Sequence, residues 1–369
     1  MMGNSLPART VAAAIAMTAL IPLTSCSATA PMNPEDAKTP APVASNSPLT
    51  SPTSGNSSVT SCSIDDPSWT TLAEKVSPSV VSVEVSSGGH PVGEGSGVAV
   101  DEHHIVTNAH VVGDATDSDV SVTLSDNSVQ PVTIAGRDPI TDLAVLTVQD
   151  TKLTPIPIAT SAEVRTGQPV MAVGNPLGLS GTVTTGIVSA LNRPVAASEQ
   201  GTGPSVATVT NAIQTSAPIN PGNSGGALVN GCGELIGINS SIATLGPGSG
   251  SIGIGFAIPS DEVSMVAQQL IRDGRAHHAQ LGISVADGIA ARGTQQIRSA
   301  MVASVVVGSP AHKAGLQVGD HIISIDGVAT TSALSLVGHV RGLPVGKSVN
   351  LLVVRDGREL TVSATLASD

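Results

Sequence analysis

The chain has 369 residues, with 28 acidic against 16 basic side chains and a formal net charge of -12 at pH 7. Phosphate binding needs a basic face, so this balance argues against nucleic acid as a partner. The length allows two folded domains, and with one Trp, one Phe and no Tyr their cores must be built from Val, Ile, Leu and Ala.

Val11 to Leu23 is an apolar run of about 13 residues behind Arg9, too short for the ~20 helical residues that span a bilayer. It reads as a signal peptide over residues 1–25. The run ends in Leu23-Thr24-Ser25-Cys26, which resembles the lipobox of exported bacterial lipoproteins. That resemblance implies an acylated Cys26 and a protein anchored by lipid to the outer face of the membrane; in an ordinary secretory signal the cysteine would be incidental. Residues 26–67 are mostly Pro, Ser, Thr, Ala and Asn, a composition that cannot bury enough surface to offset its conformational entropy. Such a tether of ~40 residues reaches about 35 Å if flexible.

Short Val- and Ile-rich runs follow at Val80 to Val85, Val120 to Leu124, Leu143 to Val148, Val170 to Val173 and Leu235 to Ile238. Broken by Gly, Pro and Asp-Asn turns, they predict a mainly β fold. His110 stands just past the apolar Ile105-Val106, and Asp142 is the only acid in Thr141-Asp142-Leu143-Ala144-Val145-Leu146. Taken alone, one reads as a core histidine and the other as a cap at a strand start. Ser224 lies in Gly222-Asn223-Ser224-Gly225-Gly226, where glycines let the chain turn sharply and let a substrate carbonyl approach the backbone. Single strings of this kind are usually turns. The order His, Asp, Ser is that of the chymotrypsin-type triad.

The surrounding blocks carry a broader resemblance. Glu74-Lys75-Val76-Ser77-Pro78-Ser79-Val80-Val81, Gly174-Asn175-Pro176-Leu177-Gly178, Thr182 to Ser189 and Gly253-Ile254-Gly255-Phe256-Ala257-Ile258-Pro259 occur in one order, and from about Trp69 to Leu366 the chain resembles the HtrA/Deg family of serine proteases. The resemblance implies a chymotrypsin-like double β-barrel over residues 68–274. Ser216, Pro218 and Ala227 depart from the family pattern, and none of them is in the triad.

The residues imply the chemistry. His110 would take the Ser224 proton during attack on a peptide carbonyl and return it to the leaving amine. Asp142 would fix the imidazole tautomer, and the backbone N–H groups of Gly222 and Ser224 would hold the oxyanion. Asn223 has no charge with which to pair a newly cut N-terminus, so activation by clipping is not expected. The family resemblance implies instead that loops order around the site, and Leu191 to Ser205, Ser216 to Gly222 and Ser240 to Ser251 are the candidates. Pro218 occupies the position where trypsin-like enzymes carry an acid. By similarity Ile219 and Ile254 line the first pocket, which implies cleavage after small or medium aliphatic residues and hence unfolded or misfolded proteins as substrates.

If Cys26 is acylated, only Cys62 and Cys232 remain, and an oxidising envelope would let them pair; two unrelated thiols are the alternative. The neighbouring pairs His103-His104 and His277-His278 do not make a metal site, and no cofactor is expected. A helix is predicted after Pro259, with Ser260 as cap, Asp261 and Glu262 at its positive end, an apolar face of Val263, Val266, Leu270 and Ile271, and Gly274 at its end. Leu281-Gly282-Ile283 resembles the carboxylate-binding loop of PDZ domains, and Ser309 to Asp320 with Ile325-Asp326-Gly327 resembles their core signature. The implied PDZ domain, residues 275–369, would hold peptide C-termini. Related proteases trimerise through aromatic residues, of which Trp69 alone is available here. The competing reading of the whole is a chaperone or PDZ scaffold with little proteolysis.

Overall fold

The structure, a computed structural model, describes residues 62–176, 181–197, 208–240 and 253–369. The predicted signal segment, Cys26 and most of the predicted tether lie outside the described residues, as do parts of two of the predicted loops. No described helix is long and apolar enough to cross a membrane.

After helix α1 (Trp69–Val76), seven strands form the first lobe: β1 (Val80–Ser87), β2 (His90–Ala99), β3 (His104–Thr107), β4 (Val120–Thr123), β5 (Val129–Pro131), β6 (Thr133–Asp138) and β7 (Leu143–Thr147), with the short helix α2 (Ala109–Val112) after β3. Their order in the sheet is β5-β4-β1-β2-β3-β7-β6. Val132 alone separates β5 from β6 in sequence, so the ends of the path meet through the chain rather than through a ladder. The second lobe is a closed barrel of β8 (Pro169–Gly174), β9 (Thr182–Ala197), β10 (Thr208–Thr215), β11 (Ala227–Asn230), β12 (Leu235–Ser240) and β13 (Gly255–Pro259), in the order β10-β13-β12-β11-β8-β9.

Period-two alternation explains why these strands are apolar on both faces. In β1, Val81 and Val83 enter the core of the first lobe while Val80 enters a shared core between the lobes. In β7, Ala144 and Leu146 face the lobe core, and Leu143 and Val145 face the shared one. The barrel repeats the arrangement, with Val170 and Ala172 inside it and Met171 and Val173 against the first lobe. Trp69 packs on the same shared core, which engages the one residue considered for contacts between protomers.

Helix α3 (Ser260–Asp273) closes that core from outside and ends at Gly274, left-handed at φ 72°. It differs from expectation at three positions. Pro259 occupies the N-cap, and the Ser260 hydroxyl donates to the Ala159 carbonyl at 2.6 Å instead of capping. Ile271 is exposed and Ala267 completes the apolar face, because the helix turns Ile271 away from the strands it covers. Glu262 is buried rather than solvated at the helix start.

The C-terminal domain contains β14 (Ala279–Gln280), β15 (Ile283–Arg292), β16 (Gln295–Val305), α4 (Pro310–Lys313), β17 (His321–Ile325), β18 (Val328–Ala329), α5 (Ala333–Arg341), β19 (Ser348–Arg355), β20 (Arg358–Thr365) and β21 (Ala367–Ser368). Its main sheet runs β15-β16-β17-β19-β20, with β18 against β17, while β14 pairs with β21. The buried Asp320 is held by Arg355 through two contacts of 2.6 and 2.7 Å, which anchors the loop after α4.

Cys62 and Cys232 are joined in a disulfide across a sequence separation of 170. Cys232 lies on the β11–β12 turn, about 13 Å of strand from the end of β11 that follows Ser224. The crosslink therefore ties the residues before α1 to the barrel at the end of β11 far from Ser224. The native protein is expected to show no alkylatable thiol at Cys62 or Cys232 without reductant. The Cys62→Ser, Cys232→Ser protein should lose up to about 5 kcal/mol of stability in chemical denaturation, the chain-entropy figure for so long a loop.

Candidate active site

Asp142 ends the β6–β7 turn in the left-handed region at φ 61°, a conformation costly for a residue with a Cβ and kept where surrounding structure enforces it. The enforcement is visible at its carbonyl, which accepts from Ala109 N–H at 3.1 Å and Asn108 Nδ2 at 2.9 Å. Its carboxylate points back at α2. His110 Nδ1 lies 2.9 Å from both carboxylate oxygens, the His110 backbone N–H donates to Oδ1 at 3.0 Å, and the Ser240 hydroxyl donates to Oδ2 at 3.1 Å. The Asp142 side chain is 4% exposed and that of His110 23%, so the imidazole alone reaches the surface.

Ser224 sits between the lobes in a turn whose peptides are held one by one. Asn223 N–H donates to Asn220 O at 3.0 Å, Gly226 N–H to Asn223 O at 3.0 Å, Gly225 N–H to Asn239 O at 2.9 Å, and Ser96 N–H to Ser224 O at 2.8 Å. Gly222 at φ 93° and Gly225 at φ 81° take backbone conformations that disfavour a side chain. At Gly225 a Cβ would also collide with the Ser96 carbonyl. The end of β12 touches both halves of the site, Asn239 holding the serine turn and Ser240 the Asp142 carboxylate.

Ser96 carries no catalytic signal in the sequence, yet it braces the serine turn. Its hydroxyl accepts from Asn175 N–H at 2.8 Å and donates to Gly222 O at 2.6 Å, while Thr107 Oγ1 donates to its carbonyl at 2.7 Å. With Asn223 N–H on Asn220 O, the Gly222–Asn223 peptide is pinned at both ends. The available signal was Gly93 to Gly97, a glycine-rich stretch inside a strand, which marks close backbone approach.

Ile219 packs against Gly255, the residue after Ile254, but Ile219 is fully buried in the barrel core while Ile254 is exposed. The Ser216 to Gly222 segment is not a loose loop, since Ala217 and Ile219 are both core residues. Leu191 to Ala197 belongs to β9. Residues 198–205 and 241–251 of the other two predicted loops lie outside the described residues. In the C-terminal domain Leu281, Gly282 and Ile283 line a groove of about 210 Å³ opposite Leu336 and Val340 of α5, and Gly282 at φ 73° presses against Ser309. No group of metal-ligating side chains occurs among the described residues.

Residues 95–238 match the model of the trypsin-like peptidase domain, and residues 251–366 that of the PDZ domain. The chain is similar to serine protease PepD of Mycobacterium tuberculosis, 45% identical over 80% of this chain and 65% of that protein, so it spans just under two thirds of PepD's length. It is also similar to the periplasmic pH-dependent serine endoprotease DegQ of Escherichia coli, 40% identical over 81% of this chain and 70% of DegQ. Among solved structures, the HtrA-type protease AlgW with tripeptide superposes with a TM-score of 0.61 at 32% identity, covering 82% of this chain and 98% of AlgW. With a trypsin-like domain of two β lobes followed by a PDZ domain, and with relatives of this identity along most of its length, the chain belongs to the HtrA family of serine proteases.

Proposed function

We propose that this protein is an exported serine endopeptidase of the cell envelope that cuts unfolded or misfolded polypeptides. The observation that carries the reading is the Asp142 carboxylate, which grips His110 at Nδ1 and at its backbone N–H beside the turn of Ser224. That grip leaves Nε2 as the basic nitrogen. His110 accepts the Ser224 proton as the hydroxyl attacks a peptide carbonyl, Asp142 stabilises the imidazolium, and the proton then passes to the leaving amine. The tetrahedral oxyanion is held by Gly222 and Ser224 N–H, each such donor being worth about 3–4 kcal/mol. Ser96 positions that turn from behind.

Pro218 and the exposed Ile254 support an apolar first pocket without an acid to receive Lys or Arg. The groove between Leu281-Gly282-Ile283 and α5 supports capture of peptide C-termini, the peptide adding as a strand beside β15. Relatives named periplasmic support export, and Leu23-Thr24-Ser25-Cys26 supports a lipid anchor at Cys26.

Ser224→Ala is expected to abolish both casein cleavage and labelling by a fluorophosphonate probe; labelling of the native protein separates a protease from a scaffold that only binds. Asp142→Asn should lower kcat about 10⁴-fold, because the wrong tautomer is then held toward Ser224. Ser96→Ala removes the donor from Gly222 O, and a loss of about 1–3 kcal/mol in denaturation together with a roughly tenfold lower kcat is expected. Profiling of cleavage sites should return Val, Ala, Leu or Ile before the cut, and a dominant Lys or Arg would overturn the pocket assignment.

A further inference from the structure

Two buried side chains that the catalytic mechanism does not use, Asp138 and His278, meet where the C-terminal domain begins, and a third, Glu262, feels the charge of both. His278 is 2% exposed, and its Nε2 lies 3.0 Å from Asp138 Oδ2 without the alignment of a hydrogen bond. Glu262, on α3, is 4% exposed, and its Oε1 has no hydrogen-bond partner. Asp138, on β6, is 5% exposed and accepts from Ile140 N–H and the Thr141 hydroxyl. Those two donors belong to the turn that delivers Asp142. One carboxylate thus fastens the catalytic turn on one side and touches the first residues of the C-terminal domain on the other.

The groups facing the cluster come from several elements. Asp369 Oδ1 accepts His278 N–H at 3.1 Å, and Asp369 N–H donates to His278 O at 3.0 Å. His277 lies 3.8 Å from Asp369. Gly342, just past the end of α5, lies over Glu262 Oε2, and His339 in the last turn of α5 lines the same cleft. Asp261, His339 and Lys347 line the cleft on the open side of Glu262.

Burial pushes the Glu262 carboxyl up to about 7, with Asp138 adding to the rise and His278 opposing it. For His278 burial works downward, but Asp138, then Asp369 and Glu262, raise it above its ordinary value. Both groups therefore hold protons more tightly folded than unfolded, and both contributions have the same sign. Stability is fully present below the unfolded values and is lost as pH rises through the folded ones. With Glu262 neutral and His278 charged, the cluster is one buried ion pair. With Glu262 ionised and His278 neutral, the two buried carboxylates repel each other without a charged imidazole beside them.

We infer that Asp138, His278 and Glu262 form a proton-operated latch that fastens the start of the C-terminal domain to the turn carrying Asp142, closed in mild acid and released as pH rises through neutrality. Asp138 is in this sense a positioning residue for the triad. The inference rests on Asp142 being the residue that orients His110, but its test does not depend on catalysis.

Hydrogen–deuterium exchange on the full chain carrying Ser224→Ala, corrected for intrinsic rates, measures the latch directly. Opening of residues 138–142 and 277–280 should be at least about tenfold more populated near pH 8 than near pH 6. Glu262→Gln, isosteric and unable to ionise, should flatten that step, and His278→Gln should raise opening at the lower pH. Equal opening at the two pH values, or a step of the same size in Glu262→Gln, would overturn the latch. In the active protein Glu262→Gln should also change the ratio of kcat/KM at the two pH values, and an unchanged ratio would sever the latch from the catalytic turn.

Discussion

A carboxylate removed from water costs several kcal/mol unless donors surround it, and Asp142 gathers its donors from both lobes. His110 and its backbone N–H come from α2 of the first lobe, and Ser240 comes from β12 of the second. The residue also needs a left-handed backbone, which two further donors to its carbonyl enforce. These demands are compatible only if the lobes sit at one separation. The shared core of Val80, Val106, Leu143, Met171, Val173 and Leu235 sets that separation, so packing between the lobes is a condition of the active-site geometry.

The glycines around Ser224 belong to the same constraint. At Gly226 a Cβ would meet the Val173 carbonyl, and at Gly174 it would meet Asn223. The serine turn is therefore pressed backbone to backbone against β8 of the barrel and β2 of the first lobe. A core with one Trp and one Phe is built from small branched side chains, and the buried polar residues Ser96, Thr107, Asn108 and Asn239 supply the directional contacts that apolar packing lacks.

Much of this was legible because its signals are local. The strands announce themselves as Val- and Ile-rich runs, and their unbroken apolar character has its cause in the two cores that each strand feeds. His110 and Asp142 were found through their order ahead of a Gly-flanked serine, and the structure brings them into contact. What escaped is set by partners far along the chain. Glu262 resembles a solvated acid in a first helical turn, yet Gly342, 80 positions later, covers it. Ser260 has the chemistry of a cap, but Ala159 takes its hydroxyl. The Ser216 to Gly222 segment has the composition of a mobile loop, while Ala217 and Ile219 fill the barrel. Ser96 gave no signal of its own because its importance lies in the peptide behind which it stands.

Helix α5 faces two ways. Leu336 and Val340 line the groove beside Leu281-Gly282-Ile283, while Gly338 rests on Thr210 and Asn211 of β10, where a Cβ would come within 3.3 Å of the Thr210 carbonyl. A mid-helix glycine costs about 1 kcal/mol relative to alanine, a cost accepted here for a close contact between domains. Beside it Asn211 Nδ2 lies 3.1 Å from His339 Nδ1. Burial, followed by Lys347, lowers the His339 pKa against the opposing pull of Asp326, so this contact favours the neutral imidazole and weakens as pH falls, the opposite sign to the cluster at His278. The contacts of the C-terminal domain thus include two polar fastenings with opposed proton dependence, one under the catalytic turn and one on the face of α5 turned away from the peptide groove. Acid favours the first and disfavours the second, so the two contacts respond to a change of pH with opposite sign.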